Sequence, residues 1–176
     1  MLSIAEPVAS VQARLVDGVT VAAVNGPNAT VVSGDPALLQ VLAERVEAEG
    51  GRARMLPVDY ASHGPQVDEL KAEILRLLEG IAPQAARIPM VSSMSGEKLD
   101  GSELTAQYWY DSLRARVEFA RAIEVLADEG YGVFIESSAH PVLTAPIADI
   151  LDEQEAVVAG TLRREDGGAD RLLASL

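Results

Sequence analysis

The 176-residue sequence contains no cysteine, only two lysines against twelve arginines, and one tryptophan. Without cysteine there is no disulfide framework and no thiolate metal site, and any side-chain nucleophile must be a serine or threonine. Basic residues collect nowhere into a patch able to neutralise phosphates, and the net charge is −13, so nucleic acid is excluded as the expected partner. No apolar run approaches the roughly 20 residues of a membrane-spanning helix. The opening "MLSIAEPVAS" lacks a basic stretch followed by a long apolar one. A soluble, cytoplasmic protein without membrane contact is the expectation. What is present is 48% apolar residues with scattered charge, the composition of a globular chain long enough to bury one substantial core.

Residues 1 to 57 read as six alternating elements. "MLSIAE" is a strand, "PVASVQARLV" a helix opened by Pro7, and "VTVAAVN" a β-branched strand. Asn25-Gly26-Pro27-Asn28 turns the chain into the hairpin partner "ATVVSG". Asp35 caps a helix with Pro36 at its first position, Gly50-Gly51 stops it, and "RARMLPV" closes the set. The order βαββαβ predicts a ferredoxin-like subdomain. Beyond Pro57, Val67, Leu70, Ile74, Leu77 and Leu78 recur at helical spacing and predict one amphipathic helix over 65–79, ended by Gly80. "IPMVSSM" at 88–94 reads as a strand, followed by helices near 104–113 and 117–129, the strand "GVFIES", a helix from Pro141, and the strand "AVVAG". Alternating helix and strand predicts a parallel α/β layer. That layer opens on a helix and supplies few strands, so a front portion of its sheet is expected to be missing. "RREDGGADRLLASL" reads as a linker leading into a terminal helix.

Two histidines are candidates for chemistry. His63, in "VDYASHGPQV", follows an extended segment, and reactive side chains in α/β folds gather at strand ends. It is either a structural loop histidine or a general base, since imidazole exchanges a proton near neutral pH. No serine lies in a Gly-x-Ser-x-Gly elbow. Ser62 adjoins His63, but neighbours on extended chain point to opposite sides, which makes a Ser62–His63 dyad poor. Asp59 is a candidate to orient the ring, against the plainer reading of a surface carboxylate. Glu136 and His140 flank a strand-to-helix turn, where capping is favoured over a metal pair, and no metal site is expected. Tyr108, Trp109 and Tyr110 read as a packing cluster, and Asn25 on its own as part of an ordinary hairpin turn.

"VAAVNGPNATVVSGD", "VDYASHGPQV", "YWYDSLRARVEF" and "FIESSAHPVL" together resemble, in order and spacing, the acyltransferase domains of modular type I polyketide synthases, relatives of malonyl-CoA:acyl carrier protein transacylases. The likeness runs from residue 1 to about 165 and implies a division into a ferredoxin-like small subdomain (1–57), the C-terminal part of a hydrolase-like α/β subdomain (58–162) and a post-acyltransferase linker (163–176). It implies ping-pong transfer of an extender acyl group from acyl-CoA to the phosphopantetheine thiol of an acyl carrier protein, with no bound cofactor. His63 matches the family's histidine, and Ser112 in "YDSLR" is expected to orient it through its main-chain carbonyl. Asn25, Tyr60, Ala61 and Ser62 are the implied substrate-side residues. "YASH" resembles the form associated with methylmalonyl-CoA, Ser62 leaving room where malonyl-selective domains carry phenylalanine. Gly64 stands where serine is common, and "SSAHPVL" departs from the usual "SPHPVL". The family's Gly-His-Ser-x-Gly elbow and its carboxylate-binding arginine have no counterpart here, so the nucleophile is expected on the N-terminal part of the same domain, as an additional partner. The alternatives are a non-catalytic fragment retaining carrier-protein or linker contacts, and a small complete hydrolase using Ser62 or Ser93.

Overall fold

A computed structural model describes residues 1–175. The first six elements are β1 (Leu2–Ile4), α1 (Val8–Gln12), β2 (Val19–Gly26), β3 (Ala29–Gly34), α2 (Pro36–Ala48) and β4 (Ala53–Met55). They form one four-stranded sheet in the order β2-β3-β1-β4, every pair antiparallel. The residues at positions 27 and 28 turn β2 into β3. The Asp35 side chain accepts from the Ala37 backbone N–H at 2.8 Å and Pro36 sits at the first helical position, so α2 starts where its cap dictates. Alternation then sorts the strands. Leu2, Ile4, Val19, Val21 and Val32 face α1 and α2, where Val11, Leu39, Leu42 and Val46 close a core. The register of β2 on β3 shifts between Val21 and Ala23, and this bulge brings Ala22 and Ala23 together onto the opposite face with Val31.

That opposite face is also covered. Met1, Leu56 and Val117 pack on it, and the loop carrying His63 lies across it. The remaining elements are a 3-10 turn at Pro65–Leu70, α3 (Lys71–Leu77), β5 (Met90–Val91), β6 (Lys98–Leu99), α4 (Ala106–Arg114), α5 (Phe119–Asp128), β7 (Val133–Glu136), α6 (Thr144–Ile150), β8 (Val157–Gly160) and α7 (Ala169–Ser175). β7 and β8 pair in parallel, Val133 opposite Val157. Their inner face sets Phe134 on Ile123, Ile147 and Leu151 of the helical side. The other face is bare: Val133, Ile135 and Val157 are 63%, 51% and 60% exposed.

Three expectations change. The helix over 65–79 is a 3-10 turn followed by a short α-helix, and only Val67 of its apolar stripe is buried, with Leu77 64% exposed. Pro65, after the extended Gly64, sets the tighter first turn, and although α3 packs beside α4, Leu70 and Leu77 stay largely exposed, so little burial holds a longer helix. The strand at 88–94 shrinks to Met90–Val91, paired with Lys98–Leu99. The helix after Pro141 begins at Thr144, because a side chain from β7 caps it there. Among the described residues, no helix is long and apolar enough to cross a membrane.

Candidate active site

His63 sits in the left-handed region at φ 57, a conformation uncommon outside glycine though less so for histidine, and one of two such non-glycine residues described. Backbone held this way needs surrounding structure to enforce it. The enforcement comes from the end of α4. Thr105 caps the helix start, its Oγ1 accepting from the Tyr108 N–H, and the helix stops at Arg114 when Ala115 turns extended (φ −75, ψ 159). The carbonyls released there face His63. Its backbone N–H donates to Leu113 O at 2.9 Å, and ring Nδ1 lies 2.9 Å from Ala115 O. A carbonyl only accepts, so Nδ1 carries the proton and the lone pair is on Nε2. Among the described residues Nε2 has no hydrogen-bond partner.

The orienting carbonyl is therefore that of Ala115, and the expectation for Ser112 is corrected. Ser112 lies inside α4, three residues before Ala115, and it is the Ala115 oxygen, beyond the helix end, that reaches the ring. Asp59 is likewise absent from the ring's Nδ1, a position Ala115 fills.

The segment after Ala115 is fixed in turn by the sheet. Val117 N–H donates to Ala22 O at 2.9 Å and Val24 N–H donates to Val117 O at 2.8 Å, so residues 115–117 run beside the edge strand β2 as a short parallel bridge. Asn25, next along β2, comes to the neighbourhood of this segment through that bridge, and its side chain makes no hydrogen bond among the described residues. Tyr60 and Ala61 line a cavity of about 140 Å³ with Met1, Gly34, Pro36, Val58 and Asp59. Ser62 is 7% exposed and its hydroxyl donates to Met1 Sδ at 3.6 Å, which turns it into the packing beneath the loop. Gly64 follows in close approach to the sheet. A Cβ built there would stand 3.2 Å from Thr20 Oγ1 and 4.0 Å from Ser33 Cβ, two residues paired across β2 and β3 whose buried hydroxyls have no partner.

Among the described residues, no group of three or more His, Asp or Glu side chains is placed to hold a metal ion, and Glu136 is engaged with backbone donors. The Glu136 carboxylate accepts from the N–H groups of Val142, Leu143 and Thr144 at 2.8 to 3.1 Å and from Ser138 Oγ at 2.9 Å. Capping is the outcome, with Glu136 as the cap of α6. Burial pushes its pKa up, and the backbone donors outweigh that, holding the carboxyl below its ordinary range. The aromatic trio separates: Tyr108 and Trp109 meet edge to face at 5.4 Å, Tyr108 OH is 2.7 Å from Ser92 Oγ, and buried Tyr110 turns away to donate to Asp68 Oδ1 at 2.7 Å.

A protonated Nδ1 fixed on a carbonyl and a free Nε2 make a histidine ready to take a proton from a hydroxyl, on a mixed α/β scaffold that supplies no serine elbow of its own. The chain belongs to the acyl transferase domain family, whose sequence model matches residues 1–176. More narrowly, it is a segment of the acyltransferase domain found in modular type I polyketide synthases. It is 49% identical over its whole length to the pikromycin polyketide synthase component PikAIII of Streptomyces venezuelae, and 43% identical to erythronolide synthase EryA3 of Saccharopolyspora erythraea. The matches span 11% and 6% of those large proteins. Among solved structures, the acyltransferase domain from module 8 of the salinomycin polyketide synthase superposes with a TM-score of 0.95 at 48% identity, covering 98% of this chain and 42% of that one. A loading acyltransferase of the avermectin modular polyketide synthase gives 0.93 at 36% identity, covering 98% of this chain and 56% of that one. The chain thus spans about half the length of the solved domains it matches.

Proposed function

We propose that this chain is the histidine-bearing part of an extender-unit acyltransferase of polyketide biosynthesis. Residues 1–57 are its ferredoxin-like small subdomain, 58–162 the C-terminal part of its hydrolase-like subdomain, and 163–176 the linker that follows. The nucleophilic serine comes from the N-terminal part of the same domain. In the first half-reaction Nε2 of His63 takes the serine proton as the serine oxygen attacks the acyl-CoA thioester; the C–S bond breaks and the imidazolium returns that proton to the departing coenzyme A thiolate. In the second, the phosphopantetheine thiol of an acyl carrier protein gives its proton to Nε2 and attacks the ester; the C–O bond breaks, the imidazolium returns the proton to the departing serine oxygen, and the acyl group leaves as the carrier-protein thioester. The observation that carries this reading is the 2.9 Å contact of Nδ1 with Ala115 O, which leaves the basic nitrogen free. The carbonyl also stabilises the imidazolium formed midway.

The acyl group is a methylmalonyl-type unit held on the side of Tyr60, Ala61, Ser62 and Asn25. Ser62 has 7% exposure and sits against Met1, so a phenylalanine could not take its place there and would swing to the open side of the loop. A small residue keeps that side clear for an α-methyl branch. Such a difference is worth about 1 to 3 kcal/mol, a preference of tens- to a hundredfold. The test is the complete domain, with this chain joined to its N-terminal part, incubated with methylmalonyl-CoA and read by denaturing intact-mass spectrometry. The expected result is a single acyl adduct that a carrier protein discharges, with His63→Ala lowering its rate by about 10²- to 10⁴-fold. A complete, folded domain that forms no adduct, or one in which His63→Ala changes nothing, leaves a non-catalytic module with carrier-protein or linker contacts.

A further inference from the structure

Two carbonyls of the α4 terminus hold His63, and that terminus is itself held from the 3-10 turn. Asp68, five residues beyond His63 in the 3-10 turn, reaches across to α4. Its Oδ1 accepts from Tyr110 OH at 2.7 Å and from Arg114 Nε at 2.6 Å. Tyr110 is buried, one helical turn before Arg114, so the two donors lie on one face of α4. Lys71 Nζ stands 4.9 Å over the Tyr110 ring and completes the clasp from the side of the turn. Leu113 and Ala115, whose carbonyls take the His63 N–H and Nδ1–H, flank Arg114 directly. The His63 loop and the helix end are thus joined twice: through the histidine itself, and through one carboxylate oxygen anchored five residues away.

We propose that Asp68 is a positioning residue for His63, fixing the α4 terminus through Tyr110 and Arg114 so that the Ala115 carbonyl keeps the proton on Nδ1. The inference deepens the proposed role of His63 and rests on it for its catalytic meaning, though its structural content stands apart from any activity. Asp68 is well placed for the task because both partners favour its charged form: the Arg114 guanidinium and then the Tyr110 hydroxyl hold its carboxyl below the usual range, so the clasp is charged at neutral pH. Tyr110 is pushed upward by the same contact and remains a donor. A surface ion pair alone would add little. The distinguishing feature here is that the pair sits at the residue between the two carbonyls that grip the histidine.

The experiment is ¹⁵N NMR of the histidine rings in this chain, labelled at histidine, with His140→Gln to assign the two side chains. The wild-type chain is expected to show His63 with a protonated-type Nδ1 and an unprotonated-type Nε2 at pH 8. Asp68→Ala is expected to lose that signature to a mixture of the two tautomers, Tyr110→Phe to lose part of it, and Asp68→Glu to restore most of it. Circular dichroism identifies any variant that has unfolded, and Tyr110→Phe, which removes one oxygen, keeps the test open if Asp68→Ala does. A His63 tautomer unchanged in folded Asp68→Ala and Tyr110→Phe chains would overturn the proposal. Because no acyl transfer is measured, failure here leaves the proposed function standing, and failure of acylation in the complete domain leaves this clasp standing.

Discussion

The two sheets of this chain follow opposite rules. In β1 to β4 both faces are covered, one by α1 and α2 and the other by the His63 loop and its neighbours, and Leu2, Val32, Leu39 and Val46 have no exposed surface. In β7–β8 one face carries Phe134 into a small core, while Val133, Ile135 and Val157 stand open on the other. Parallel strands are ordinarily apolar on both faces because both are covered. The first sheet therefore accounts for its own apolar residues, and the second displays a face that only further structure would cover. His63 lies over the first sheet, held by the α4 terminus, which is stitched to β2 at Val117.

The sharpest way to break this contrast is to cut into each core. Leu39→Ala removes a side chain with no exposure and is expected to destabilise the chain by about 2 to 5 kcal/mol, measured as a fall in the urea midpoint at constant slope. Ile135→Ser, at a half-exposed position, is expected to stay within about 0.5 kcal/mol of wild type in the isolated chain. In the complete domain the same Ile135→Ser is expected to cost several times more, as a buried position does. Equal small effects in both settings would show that the bare face is simply solvated.

A second contrast concerns pH. Glu136 caps α6 within the second unit, and its folded pKa lies below its unfolded one, so its contribution is present above the ordinary carboxylate range and is lost as pH falls through the depressed folded value. Thermal melts between pH 3 and 7 are expected to show this loss at the acid end, and Glu136→Gln to flatten it. At neutral pH that variant is expected to cost about 1 kcal/mol. A comparable effect of opposite sign is expected beside His63. Gly64 is extended, with φ −157, and faces two orphaned hydroxyls. Gly64→Ser would offer them a partner after a shift of the Gln66 side-chain end, whose Oε1 stands 2.8 Å from the new Cβ. A gain of about 0.5 to 1.5 kcal/mol by thermal melting is the expected outcome.

The contrast also governs what could be read from the letters alone. Asp35-Pro36, the β-branched runs and the Gly50-Gly51 stop are local signals, and the antiparallel sheet they predict is present with its strand order resolved. Where local signals lacked a tertiary partner, as in Leu70 and Leu77, periodicity predicted a longer helix than exists. His63 was visible as a residue type at a strand end. Its holder was not, because a main-chain carbonyl has no letter: Ala115 is marked only by the end of α4, and Ser112 is three residues before it. Asp68, Tyr110 and Arg114 lie 42 and 46 residues apart in sequence, a separation that spacing rules do not bridge. Glu136 was read as a possible partner of His140, and its true partners are backbone N–H groups, again without a side-chain signature.

In the proposed function, the N-terminal part of the domain completes the second sheet and gives His63 its nucleophile. Hydrogen exchange of this chain, alone and with that part supplied as a separate polypeptide, is the decisive measurement. Amides of β7, β8 and residues 61–64 are expected to gain protection on addition while those of β1 to β4 keep the protection they already have. Unchanged exchange at β7 and β8 with an authenticated, folded partner present would contradict it.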